Sequence, residues 1–520
     1  MLFNDPWFLF VFLPAVLAGA VLVRRLAGAR AVLGFLVLAS IFFYGWWNPI
    51  YLPLLGFLTA FNYLVARTIR ASRAAGSATR THTLLTFGVV TDLLALGYFK
   101  YADFFLSTAN TVLGSDLPMQ HIVLPLGISF FTFQKIAYLV DSSRGEADAP
   151  HDFLDYCFFV AFFPQLIAGP IVHHSEIFAQ TRGRHALKIR VGNVAIGLTI
   201  FLIGLFKKVV IADNFAPAVT EVFVIAGTGH PLGTFDAWRG ALSYSLQLYF
   251  DFSGYSDMAI GAARMFGIRL PLNFNSPFQA TGIIDFWRRW HMTLSRFLRD
   301  YLYIPLGGSR RGKVRRYINL MLTMTIGGLW HGAAWTFVLW GFLHGVYLVV
   351  NHTWRAVWSP LDTWWSRGVS RLVTIVAVVV AFVTFRAPDL PTALRIYASM
   401  AGFGDHRLNE MTALERFSAG LALEPSAERV THGWLWIVAW LAVVWLVPNT
   451  QQLMARFRPA YNYSIEQWRR QPPLLMGCSR ALEPLLQWRP RVVGALAIGI
   501  SSAIALLFLQ RVSEFLYFDF

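Results

Sequence analysis

At 520 residues the chain is long enough for two or three soluble domains, yet 56% of it is apolar and only 14% charged, well below the charge of an ordinary globular domain. Such a surface cannot stay soluble, an aromatic content of 16% excludes a disordered chain, and two cysteines, Cys157 and Cys478, exclude a disulfide scaffold and a CxxC zinc site. The net charge of +16 reads as basic cytoplasmic loops of a polytopic helical membrane protein, not as a nucleic-acid surface.

Apolar stretches able to cross about 30 Å of hydrocarbon recur near residues 7–23, 31–47, 50–66, 83–99, 121–140, 153–172, 191–212, 236–262, 317–332, 335–351, 369–385, 432–448 and 492–510. Several are short or interrupted, so they predict an all-α bundle of about 11–13 hydrophobic segments, one integral-membrane domain over 1–520. The first lacks a basic leader and is followed by Arg24 and Arg25. It reads as a retained span with its N-terminus outside. Basic loops then alternate as the positive-inside rule demands, with Arg67 to Arg80, Arg182 to Arg190, 288–316, Arg355 to Arg371 and 456–491 inside. That alternation requires 153–172 to re-enter the membrane instead of crossing it. Its FFPQLIAGP run, with Pro164, Gly169 and Pro170, suits a broken helix buried in protein. The C-terminus falls outside, with an outer loop near 386–430 and an inner loop near 449–491.

Familiar soluble catalytic signatures are missing: there is no G-x-S-x-G and no H-E-x-x-H. Residues 307–313 satisfy G-x-x-x-x-G-K, but position 314 is Val where a nucleotide loop needs Ser or Thr, and no strand precedes it. Of the 13 histidines, His331 and His344 alone have long apolar flanks. One helix from Arg316 to Arg355 would be about 58 Å long, with two basic ends that belong on the same side. The segment is therefore predicted to fold back, and Gly327, Gly328 and Gly332 place the break around His331. A histidine at that depth suggests function: an imidazole kept neutral away from water can act as a general base. The alternative is a structural bond to a helix-break carbonyl, and His344 reads as structural.

The preceding segment, 285–316, holds nine basic residues and six aromatics. It reads either as a lipid-headgroup belt or as a cytoplasmic mouth in which Arg288, Arg289, Arg310 and Arg311 bind the phosphates of a polyanionic donor. Together with the predicted hairpin it forms a core segment over 285–355. Asp251 and Asp257 lie six residues apart, about 240° around a helix, so they share no face. The polar run around them, including Tyr255, reads as tunnel lining.

These residues carry a resemblance. The stretches LGYFKYADFF at 96–105, LPLGISFFTFQKIAYLVD at 124–141, FFPQLIAGPIVHHSE at 162–176, YFDFSGYSDMAIG at 249–261, LNFNSPFQATGIIDFWRRWHMTLSRFLRDYLYIPLGGS at 272–309 and GGLWHGAAWTFVLWGFLHG at 327–345 resemble the membrane-bound O-acyltransferase family over nearly the whole chain. The resemblance implies a helical bundle with broken helices and a central tunnel. His331 then matches the family's catalytic histidine and His291 its second polar position. It further implies O-acetylation of an exported polysaccharide, alginate or a similar one, from a cytosolic donor such as acetyl-CoA. It implies periplasmic acetyltransferase partner proteins, an inner-membrane location with lipid contacts, and no metal or bound cofactor. Trp330, or backbone N–H groups at the break, would hold the oxyanion. Transfer of a different acyl group, or a transporter with similarly broken helices, remain the alternatives.

Overall fold

The computed structural model describes residues 1–147, 152–182, 186–230, 232–358, 363–404, 427–461 and 492–509, with Tyr463, Trp488 and Leu516 besides. These residues are helical, with one isolated bridge between Pro271 and Tyr461. Five runs are long and apolar enough to cross a membrane among the described residues: Phe8–Gly45, Pro49–Ala74, Ala78–Leu113, Val191–Thr228 and Trp364–Arg386.

The first run holds two of the predicted segments. Its helix α1 (Leu13–Gly45) leaves helical geometry at Gly28, with φ +83° and ψ −173°. A Cβ on Gly19 would strike the Phe35 ring, and the Phe12 and Phe43 rings lie 5.6 Å apart. Residues so distant in sequence meet only if the arms run antiparallel, so α1 is a hairpin. Arg30 near its tip pairs with Asp152 and Asp155.

Helix α2 (Leu52–Ala74) leads to α3 (Ala78–Leu96), which passes through a π turn at Gly97–Tyr101 into α4 (Ala102–Leu113). The predicted span at 83–99 is thus part of a longer helical run, Ala78–Leu113. Helix α5 begins only at Ile128 and runs to Arg144, not from 121 as predicted. Gly127, at φ +75°, starts it, where a Cβ would come within 2.7 Å of the Leu166 carbonyl. The 153–172 segment is broken: α6 (Phe153–Ala161) has nine residues, a rise of about 13 Å, too short to cross. It is followed by α7 (Phe163–Leu166), a buried irregular stretch and α8 (His174–Thr181).

Helix α9 (Val191–Phe206) continues through a second π turn, Lys207–Ala212, into α10 (Asp213–Thr228). Both pack against α11 (Thr234–Met265), a 32-residue helix buried along almost all its length. Gly197 faces Gly261 and Gly204 faces Gly254 so closely that a Cβ on any of the four would meet opposing backbone. Small residues of this kind let membrane helices approach without a hydrophobic drive.

Short helices α12 (Ile283–Trp287) and α13 (Met292–Leu298) and a π turn at Arg299–Tyr303 lead into α14 (Gly312–His331). The chain reverses over 332–334 into α15 (Trp335–Val357). Gly328 and Gly341 meet backbone to backbone across this hairpin. Helices α16 (Trp364–Arg386) and α17 (Leu390–Ala398) follow, then α18 (Ala427–Leu446), α19 (Thr450–Leu453) and α20 (Val492–Phe508). Residues 405–426 of the predicted outer loop 386–430, and most of the predicted inner loop 449–491, lie outside the described residues.

Candidate active site

His331 is the last residue of α14 and is 4% exposed. A helix leaves its final carbonyls without intrahelical donors, and here other helices supply them. The Tyr101 hydroxyl donates to the Leu329 carbonyl at 2.8 Å, and Lys100 Nζ donates to the carbonyls of Trp330 and His331 at 2.8 and 2.9 Å. The His331 ring sits among aromatics: Trp330 at 5.0 Å, Trp340 at 5.1 Å and Phe385 at 5.2 Å between centroids.

His291 lies 6.2 Å from His331, centroid to centroid, and is fully buried. It precedes α13 with φ +42°, a left-handed conformation uncommon for a side-chain-bearing residue. Strain of this kind persists only where the surroundings over-determine it, and Asn273 does so. The Asn273 carbonyl accepts from the Met292 N–H at 2.9 Å. Its side-chain Oδ1 accepts from the Thr293 hydroxyl at 2.9 Å and lies 3.1 Å from His291 Nδ1. The Thr293 hydroxyl and N–H both point at Oδ1, which identifies that atom as the amide oxygen, so Nδ1 carries the imidazole proton. His291 Nε2, which bonds to no protein group among the described residues, then presents its lone pair as a base. Asn273, which the sequence analysis does not single out, orients His291. Its only signal is its place in the matched LNFNSPF run.

The two histidines that the resemblance singles out lie side by side; the other candidates spread out. Trp330 stacks on Phe133 at 4.9 Å and lies 6.3 Å from the His291 ring, so it belongs to the site wall. Asp251 does not join the site: it pairs with Lys208 at 2.8 Å, and Lys208 also holds Asp213 at 2.7 Å. Asp257 is likewise taken by Lys207, Thr450 and Gln451. The π turn at 207–212 aims both lysines at α11, which holds these charges in interior ion pairs, and Lys207 and Asp257 also line a small cavity that includes Asn273. Tyr255 stacks on Phe3 at 4.8 Å. The α11 residues that do reach the site are Phe252, 4.8 Å from the His291 ring, and Ser256, bonded to Asn273.

Arg289 is buried and pairs with Asp285 at 2.9 Å, whereas Arg288, Arg310 and Arg311 are exposed. His344 is buried among Phe286, Trp287 and Trp340, and its Nδ1 accepts from the Trp287 indole at 3.3 Å.

A cavity of about 340 Å³ lies beside this site, lined by Arg144, His173, Thr293, Arg296, Phe297 and Tyr301 among others. Phe297 stacks on Phe133 at 3.9 Å and Phe133 on Trp330, while Thr293, which also lines the cavity, bonds the Asn273 Oδ1 that faces His291. Asp141, His173 and His174 bring their donor atoms within 4.8 Å of one another. Asp141 Oδ2 lies 2.7 Å from His173 Nε2 and 3.1 Å from His174 Nε2, and accepts from the Tyr301 hydroxyl at 2.7 Å. His173 Nδ1 accepts the Ser175 N–H at 3.4 Å. With the ring proton then on Nε2, His173 donates to the carboxylate. Of this hydrogen-bonded group, His173 and Tyr301 line the cavity.

The described residues thus form a membrane-type helical bundle in which His331, at the end of α14, meets the buried His291 that precedes α13. The family model for MBOAT, the membrane-bound O-acyltransferase family, matches residues 74–385. A peptidoglycan O-acetyltransferase of Helicobacter pylori is 45% identical over 427 residues, covering 77% of this chain and 80% of the relative. A probable alginate O-acetylase AlgI of Pseudomonas aeruginosa is 43% identical, covering 79% and 77%. A teichoic acid D-alanyltransferase of Bacillus subtilis is 30% identical, covering 51% and 67%. The chain belongs to the membrane-bound O-acyltransferase family and is a multi-pass membrane acyltransferase.

Proposed function

We propose that this protein transfers acetyl groups from a cytosolic thioester, acetyl-CoA or a carrier of the same chemistry, to the hydroxyl of an exported polysaccharide. The observation that carries this reading is the buried pair His331 and His291, with the His291 tautomer set by Asn273. A neutral imidazole removes the acceptor hydroxyl's proton as its oxygen attacks the thioester carbon, and the thiolate leaves and is protonated. His331 is assigned as that base and His291 as the group that shares or relays the proton. Trp330 and the backbone at the 332–334 break are assigned to the developing oxyanion. The aromatic wall keeps water from competing for the acyl group.

The donor enters from the basic side. Exposed Arg288, Arg310 and Arg311, with Arg144 on the cavity, provide guanidinium groups for its phosphates, whereas Arg296 is held by Glu176 at 2.6 Å. Arg289 is held by Asp285 and is assigned to the architecture of the mouth. The relatives named for peptidoglycan and for alginate are almost equally similar, which supports acetylation of a glycan and leaves alginate as one acceptor among similar polymers. We place the protein in the inner membrane with both termini periplasmic, acting with periplasmic polysaccharide acetyltransferase partners. The donor is a substrate, and the chemistry assigned to these residues needs no resident cofactor.

Mass spectrometry of the host's surface polysaccharides, with and without this protein, tests the reading. Loss of O-acetyl ester from one polymer on deletion, restored by the wild-type chain, is expected. Unchanged acetylation of every surface glycan overturns it.

A further inference from the structure

The C-terminal end of α14 is held from outside, and the holder has no part in the chemistry assigned above. Lys100 is the fourth residue of the π turn Gly97–Tyr101. Its ammonium donates to the carbonyls of Trp330 at 2.8 Å and His331 at 2.9 Å, and reaches Ser129 Oγ on α5 at 3.5 Å. The next residue, Tyr101, takes the Leu329 carbonyl at 2.8 Å. Three successive carbonyls of the last turn are thus satisfied by two adjacent side chains from a helix more than two hundred residues earlier in the chain. In a regular α-helix, consecutive residues point about 100° apart. The wider π turn accompanies the delivery of both to one helix end, and such bulges recur at functional sites.

We infer that Lys100 is a positioning residue of the acyl transfer: it fixes the last turn of α14, and through it the place of the His331 ring. Physical reasons converge on this role. Buried carbonyls without donors are costly, so without Lys100 the last turn of α14 would unwind to find other donors. A cation at a helix C-terminus also opposes the negative end of the helix dipole. His331 is the terminal residue of that turn, and nothing helical follows it before Trp335. A small shift of a reacting group lowers rate steeply without weakening remote substrate binding.

The inference rests on His331 acting in the reaction, so its test has a readout independent of that. In purified full-length protein, Lys100→Met keeps the length of the side chain and removes the donor. It should lower kcat roughly ten- to a hundred-fold and leave the donor KM unchanged. Lys100→Arg, which still caps carbonyls, should recover most of the rate. Hydrogen–deuterium exchange should rise across 326–331 in Lys100→Met and stay near wild type in Lys100→Arg. Tyr101→Phe, removing one bond, should show a smaller version of the same pattern. A Lys100→Met protein with wild-type kcat, or unchanged exchange at 326–331, overturns the inference, as does a Lys100→Arg protein no more active than Lys100→Met. Should Lys100→Met not accumulate, Tyr101→Phe and Lys100→Arg read the same two quantities. If His331→Ala is active, the catalytic assignment fails instead, while the exchange data still decide whether Lys100 holds the helix end.

Discussion

Two hairpins are built from similar sequence, apolar arms around a glycine-containing break, and they end differently. The first reverses at Gly28 within Leu13–Gly45, and its arms meet through aromatic rings such as Phe12 and Phe43. A Cβ at Gly28 would find no atom within 4 Å, so its turn stands open. The second reverses between α14 and α15, where Lys100 and Tyr101 hold the helix end and a ring of aromatics encloses His331. An open turn needs only backbone freedom. A turn that must hold a base in one place needs partners from elsewhere in the fold, and only the second of these two breaks has them, which supports the proposed role of His331.

Substitutions at the two breaks should therefore separate catalysis from folding. His331→Ala should lower acetyl transfer by roughly 10²- to 10⁴-fold, the range for removing a general base, with the protein still inserted at wild-type level. Acetyl-ester content of the polymer, set against membrane abundance, checks this.

Asn273→Ala should follow. It removes the acceptor that sets the His291 tautomer and leaves ring and cavity in place, as when a catalytic histidine loses its orienting group. A fall in kcat of roughly ten- to a hundred-fold is expected from misplacement alone. Steady-state kinetics on purified protein would show it, and a wild-type kcat would remove Asn273 from the mechanism.

The double substitution Arg310→Ala with Arg311→Ala probes the mouth. Both side chains are exposed, so the donor KM should rise a few-fold, by roughly 1 kcal/mol for partly screened phosphate contacts, with kcat unchanged. Added salt should weaken wild-type donor binding more than that of the variant. Donor titrations at two salt concentrations read both effects.

The smallest effect on catalysis belongs to the first hairpin. Gly28→Ala has space for its methyl group but not the backbone freedom. At φ +83° and ψ −173° a residue with a Cβ is strained by about 1–3 kcal/mol. A lower unfolding midpoint in detergent with unchanged kcat is expected. A kcat loss comparable to that of Asn273→Ala would mean that the two breaks are not functionally distinct.

The sequence by itself determined the membrane class, because hydrocarbon demands long apolar helices and tolerates few charges. It also located the break at His331, since glycines between two basic ends allow only a reversal, and it marked 153–172 as broken through Pro164, Gly169 and Pro170. The pairing of His331 with His291 came from resemblance, because forty residues of loop and helix separate them and no periodicity joins them.

Tertiary structure alone decided the rest. Asp251 and Tyr255 look like tunnel residues in isolation, yet Lys208 and Phe3 occupy them, and partners so distant leave no local trace. Asn273 and Lys100 look like ordinary polar residues, yet one sets a tautomer and the other caps a helix. Hydropathy and spacing record which face of a helix is buried. They do not record which donor meets which acceptor across the bundle, and in a medium without water that pairing decides where a polar side chain can act.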